Sequence, residues 1–172
     1  MSDTKLGIGL ATGMFYHAPE NTALPTTLSG SLAAAWTKVG DITQDGITLN
    51  TDKSVETLRN WALTVKRVIM TEHTETIDAP IMDTTQEVLE TILGEDNVTV
   101  ASNVITANLS AGSLPDPEAY LFLMKDGDDL MAIGCTSGQI SALASVNFQP
   151  GGAIVWTPTI TAMGDGFVFI ME

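Results

Sequence analysis

The chain has 172 residues, of which 44% are hydrophobic and only 16% charged, with a net charge of -14 and a pI near 4.2. That length suits a single domain that buries its core without metals or disulfides, and the acidic balance excludes a nucleic-acid binder working by phosphate neutralisation. A mean hydropathy of +0.20 is high for a soluble monomer of this size and points to burial between subunits.

Cys135 is the single cysteine and has no internal disulfide partner, and residues 1–5 lead into no apolar leader segment. Synthesis in a reducing cytoplasm is therefore expected. The longest apolar run, residues 119–124, is far short of a bilayer span, so no membrane insertion is expected.

Residues 6–18 read as an N-terminal strand in which Leu6, Ile8 and Leu10 alternate with Gly7, Gly9 and Ala11. Gly7 and Gly9 open a dinucleotide-like pattern, but Thr12 stands where the third glycine belongs and no helical pattern follows. Residues 19–35, with Pro19, Pro25, Gly30 and many small residues, read as an extended surface arm. From Trp36 onward, Val39, Ile42, Ile47 and Leu49 flank Asp45 and Gly46, a pair that supplies the positive φ angles of a tight hairpin turn. Residues 50–61 are polar and nearly unpatterned and read as a loop running to Trp61. A loop of that length in a compact domain usually has a job.

Residues 63–77 have strand composition with a bulge or change of face. The one convincing helix is 83–94, with Asp83 as N-cap, Gly94 as stop, and Val88, Leu89, Ile92 and Leu93 on its apolar face. Residues 97–109 read as a strand with a register change near Asn103, and 110–118 as a turn-rich connector. Residues 119–125 and 130–136 form a hairpin through Asp126, Gly127, Asp128 and Asp129, both strands being buried on two sides. Residues 139–148 alternate again, and 153–163 and 167–171 supply the last two strands.

No stretch carries catalytic chemistry. The acidic turn at 126–129 departs from the EF-hand register, which places Leu130 at its fifth position. His17 and His73 lack partners at metal-ligand spacing, and Cys135 sits one position out of step with a nucleophile elbow. No catalytic, cofactor-binding or metal site is expected. Charge is unevenly placed instead. Residues 38–71 hold five of the seven basic side chains, whereas 72–96 hold eight acids and no base. These segments are either complementary across a subunit contact or, for the second, a solvated acidic face.

The order of Phe15-Tyr16-His17-Ala18-Pro19, Thr22-Ala23-Leu24-Pro25, the run from Val39 to Ile47 with Gly40, Asp45 and Gly46, and Asn60-Trp61-Ala62 resembles the major tail tube protein family of long-tailed, non-contractile bacteriophages. The resemblance implies a mainly β fold, a β-sandwich or partial barrel with one flanking α-helix. Its inner strands would join into a continuous barrel in a hexameric ring, and rings would stack into a tube that DNA transits without specific binding. Residues 1–172 would be one tail tube domain, without the C-terminal immunoglobulin-like domain of some relatives. The implied partners are further copies of the chain, a tape measure protein, a tail terminator and distal tail or baseplate proteins, with assembly in the host cytoplasm and a final place in the virion tail. Trp36, Asp45, Gly46, Lys53, Arg59 and Trp61 are the expected assembly residues. Gln139, Ser141, Ser145 and Asn147, on a small polar face, are the expected lumen lining, with residues 63–77 as the rival candidate. The alternatives are a non-catalytic β-sandwich module that binds carbohydrate or a host surface, and a tube protein of a contractile or secretion system.

Overall fold

The computed structural model describes residues 4–10, 14–110 and 112–172. Among these, the strands are β1 (Ile8–Gly9), β2 (Phe15–Pro19), β3 (Thr37–Gly40), β4 (Thr48–Arg59), β5 (Val65–Asp78), β6 (Val98–Ala101), β7 (Val104–Ala107), β8 (Glu118–Asp126), β9 (Asp129–Leu143), β10 (Pro158–Ala162) and β11 (Val168–Met171), with one helix, α1 (Gln86–Leu93). Nine strands form one antiparallel sheet in the order β3-β2-β8-β9-β10-β5-β4, with β1 also on β8 and β11 also on β9. β6 and β7 form a separate hairpin.

The β8–β9 hairpin is the spine. Gly127 takes φ +61°, the left-handed value suited to the first central position of a two-residue turn, and Asp126 pairs with Asp129 across it. β8 is apolar on both faces, and each face has its own core. On one side Tyr120 and Phe122 pack with Phe15, Ile133, Cys135, Ile77 and Val88 of α1. Phe15 stacks on Phe122 with ring centroids 4.6 Å apart. On the other side Ala119, Leu121 and Leu123 pack with Ala18, Ala132 and Trp36.

The segment 19–35 lies on the surface, as read from its composition, but that second core ties it down. Leu24, Leu28 and Leu32 lie half-buried on the outer face of β8 and β9, and the Glu172 carboxylate accepts from the amides of Leu28 and Ser29 and from the Ser29 hydroxyl. The sequence signal for this is a large apolar group at every fourth position from 24 to 36, set among small and polar residues.

Six corrections follow from pairing and capping. The N-terminal strand is two short pieces, β1 and β2, both running against β8; residues 11–13 lie outside the described residues. Asp45 and Gly46 do form a turn, with Gly46 at φ +71° donating to the Thr43 carbonyl, but its flanks do not pair with each other. β3 pairs with β2, and the chain beyond the turn enters β4, which pairs with β5. The expected loop at 50–61 is therefore strand up to Arg59. The helix begins at Gln86 rather than 84, because the Thr85 hydroxyl caps it by accepting from Val88, while Asp83 accepts from the Asp41 amide. Ser102 and Asn103 take φ +50° and +64°, so the expected register change is the turn of the β6–β7 hairpin. Finally, the strands expected at 130–136 and 139–148 are one strand, β9, which ends at Leu143 and leaves Ser145 and Asn147 beyond it.

Candidate assembly surfaces

Among the described residues, β4 and β5 make a large projection. Only Thr76, Ile77 and Asp78 of β5 pair with β10, while β4 follows β5 for its whole length. Some ten residues of each strand therefore extend past the body, a reach of roughly 33 Å at the usual rise per residue. Every residue of β4 is exposed, as are residues 65–74 of β5. The turn residue Trp61 is 103% exposed.

Extra residues at Thr71 and Lys66 shift the register twice, so the anticipated bulge is present. Following the pairs through both shifts gives each face its composition. One face continues from buried Ile77 and carries Leu49, Thr51, Lys53, Val55, Thr57 and Arg59 alongside Glu75, His73, Met70, Val68 and Val65. The other carries Asn50, Asp52, Ser54, Glu56 and Leu58 opposite Thr76, Thr74, Glu72, Ile69 and Arg67. Between Lys53 and Arg67 four cations accompany one anion, Glu56. Among the described residues none of these cations forms a salt bridge; Arg59 donates to the Leu63 carbonyl across the turn at 3.0 Å.

The base of the arm belongs to a four-strand wall, β9(139–143)-β10-β5-β4. Its core side is apolar, with Ile140, Ile160 and Ile77 buried in register. Its outer side is a hydrogen-bonded polar band. The Ser141 and Thr161 hydroxyls lie 2.7 Å apart, Thr159 donates to the Asp78 carboxylate at 2.6 Å, and the Asn50 amide donates to the same carboxylate at 3.0 Å. Both lateral edges of the wall are open. Among the described residues, β4 pairs only with β5, and β9 beyond Gly138 has β10 on one side and no strand on the other. Unpaired edges invite another strand.

Two clefts lie beside the β9 edge. One, of about 170 Å³, is lined by Ile92, Leu93, Leu109, Leu114, Ile140 and Leu143 together with Ser113, Pro115, Ser141 and Ala142. The other, of about 430 Å³, shares Leu93 and residues 113–115 with it and is walled by Glu90, Glu95, Asp96, Asp116 and Glu118.

The residues expected to serve assembly are thus divided. Lys53 and Arg59 share one face of the arm, Trp61 crowns it, and Asp45 and Gly46 form the turn that feeds it. Trp36 is 8% exposed, so its ring is spent on the protomer's own core. Gln139 and Ser141 lie on the wall, with Gln139 donating to the Pro115 carbonyl, whereas Ser145 and Asn147 are exposed in the segment after β9. Of the polar band, sequence reasoning singled out Ser141 and the segment that holds Thr76, but not Asn50, Thr159 or Thr161, although a signal is present as threonines at every second position around Ile77 and Ile160. Cys135 is buried, and burial pushes its thiol up to about 11, which makes it a poor nucleophile at neutral pH.

Residues 3–167 match the family model described as phage tail tube protein. A solved structure of the anti-feeding prophage cap, described as the tube terminating cap, is similar at 10% identity and a TM-score of 0.48, covering 99% of this chain and 97% of that one. Among curated proteins no sequence match is found. A mainly β chain matched over nearly all its length by that model belongs to the phage tail tube protein family, and is a structural component of the virion tail rather than an enzyme.

Proposed function

We propose that the chain assembles into hexameric rings that stack into the tail tube of a long, non-contractile phage, through which DNA passes into the host. The observation that carries this is the wall with two open edges and a polar outer face. Its four strands are each antiparallel to the next, so their directions alternate. With an even number of strands, β4 of one copy meets β9 of the next in antiparallel sense. Repeating that contact around a rotation axis closes a barrel with no edges left. Six copies at about 4.8 Å per strand give a circumference of about 115 Å, hence roughly 37 Å across before strand tilt widens it.

The band of Ser141, Thr159, Thr161, Thr76, Asn50 and Asp78 then faces the lumen. Hydroxyls and carboxylates without a cation leave the phosphate backbone no counter-charge to bind, which suits a conduit. The tape measure, terminator and distal tail proteins are the partners that this role requires. Negative-stain electron microscopy of the concentrated protein tests the reading: sixfold rings or tubes are expected, and a strictly monomeric population would refute it. A tail of the contractile class would reveal itself by binding a sheath protein encoded beside it.

A further inference from the structure

The proposed strand pairing places one more surface against a neighbour. The arm face that carries Val55, Val65, Val68 and Met70 is on the same side of β4 and β5 as Ile77, the core side of the wall. These four side chains are 42% to 59% exposed in the protomer. Lys53 and Arg59 project from the same face. A strand laid along the open edge of β9 would carry that face over whatever lies on the core side of the edge. What lies there is the smaller cleft between α1, Leu109, Leu114 and β9, its leucines and isoleucines interspersed with Ser113 and Ser141, with the acidic cleft adjoining it.

We propose that these adjoining clefts are the seat of the arm of a second copy. The valines and Met70 enter the smaller cleft and cover Leu109 and Leu114, which are 61% and 56% exposed in the protomer. Lys53 and Arg59 reach Glu95, Asp96 and Asp116 of the neighbour, none of which has an ion-pair partner among the described residues. The match is therefore double, apolar to apolar and basic to acidic, in the order that the register of β4 imposes. Complementary charge of this kind fixes which surfaces meet and in what register. The inference rests on the ring reading, whose edge pairing brings arm and clefts together.

The test is a charge exchange in the full chain. Lys53→Glu with Arg59→Glu, and separately Glu95→Lys with Asp116→Lys, should each raise the concentration at which rings form by about tenfold or more. All four substitutions together should recover most of that loss, with circular dichroism confirming the fold throughout. Rings that form unchanged in either reversed pair, or a combined variant no better than the worse pair, would overturn the inference and leave the ring reading intact. Absence of rings in the wild type would overturn both. Independently, Val55→Cys with Leu114→Cys should give disulfide-linked multimers on oxidation. Wild-type-like rings without such multimers would also refute the seat.

Discussion

His17 offers the sharpest test of how α1 is held to the sheet. It sits on β2 between two carboxylates, with Nδ1 2.9 Å from Glu118 at the start of β8 and Nε2 2.7 Å from Glu87 on α1. A neutral imidazole has one donor and one acceptor, so it satisfies only one ionised carboxylate; the imidazolium satisfies both. Burial alone would lower the histidine pKa, but the hydrogen bonds and charges of Glu118 and Glu87 outweigh it and raise it above the usual value. Tyr120, the next group on that strand face, is held neutral far above the usual phenol range, chiefly by burial. A raised folded-state pKa means the stabilisation is complete below about pH 6.5, where the unfolded chain also binds the proton. It is lost as pH rises through the folded value. A charged hydrogen bond contributes about 1.5–3 kcal/mol, but Glu87 is 40% exposed and its share is reduced by solvent, so about 2–3 kcal/mol in total is expected. His17→Gln should therefore lower the melting temperature by about 4–12 °C near pH 6 for a domain of this size. The measurement is thermal unfolding of dilute wild type and variant at a series of pH values from about 6 to 9.5. The difference should shrink steadily toward the alkaline end. A difference that stays constant across that range would refute the imidazolium bridge.

Three other outcomes are expected. Phe15→Ala removes a fully buried ring stacked on Phe122 and should cost about 3–5 kcal/mol in denaturant unfolding. Cys135 should resist a thiol reagent at about pH 8 until denaturant is added, since burial depresses its thiolate fraction; prompt labelling of folded protein would contradict that packing. Thr76→Lys with Thr159→Lys places cations on the polar band without touching the core side. Rings should still form, but they should now retain duplex DNA in a salt-dependent manner, which gel retardation would detect.

The spine of the fold was legible because its physics is local. β8 is apolar at consecutive positions and therefore buried on both sides, its turn carries a glycine where positive φ is needed, and the helix has an apolar face and a terminal glycine, although the cap expected at Asp83 is the Thr85 hydroxyl. The readings that failed depended on which strand lies beside which. Asp45 and Gly46 do turn the chain, but the strand before them finds β2 and the strand after them finds β5. Nothing within a dozen residues distinguishes that from a hairpin. Ser102 and Asn103 failed differently: two residues with positive φ are a hairpin turn, and the lack of glycine there hid it.

The arm is the informative failure. A strand shows a period of two when one face meets a core and the other meets water, and β4 meets no core anywhere along its length. Its sequence accordingly alternates little, and its apolar residues, Leu49, Val55 and Leu58, are spaced as if at random. Pairing with β5 resolves them, because Val55 then shares a face with Met70, Val65 and Val68, while Leu58 sits on the opposite face beside Arg67. The pattern is written across two strands rather than along one. It leaves an exposed apolar face on an element with few contacts to its own body, an arrangement that destabilises an isolated monomer unless another surface covers it. In the proposed ring that surface would be a second copy of the chain, and the period missing from β4 would then be completed only between subunits.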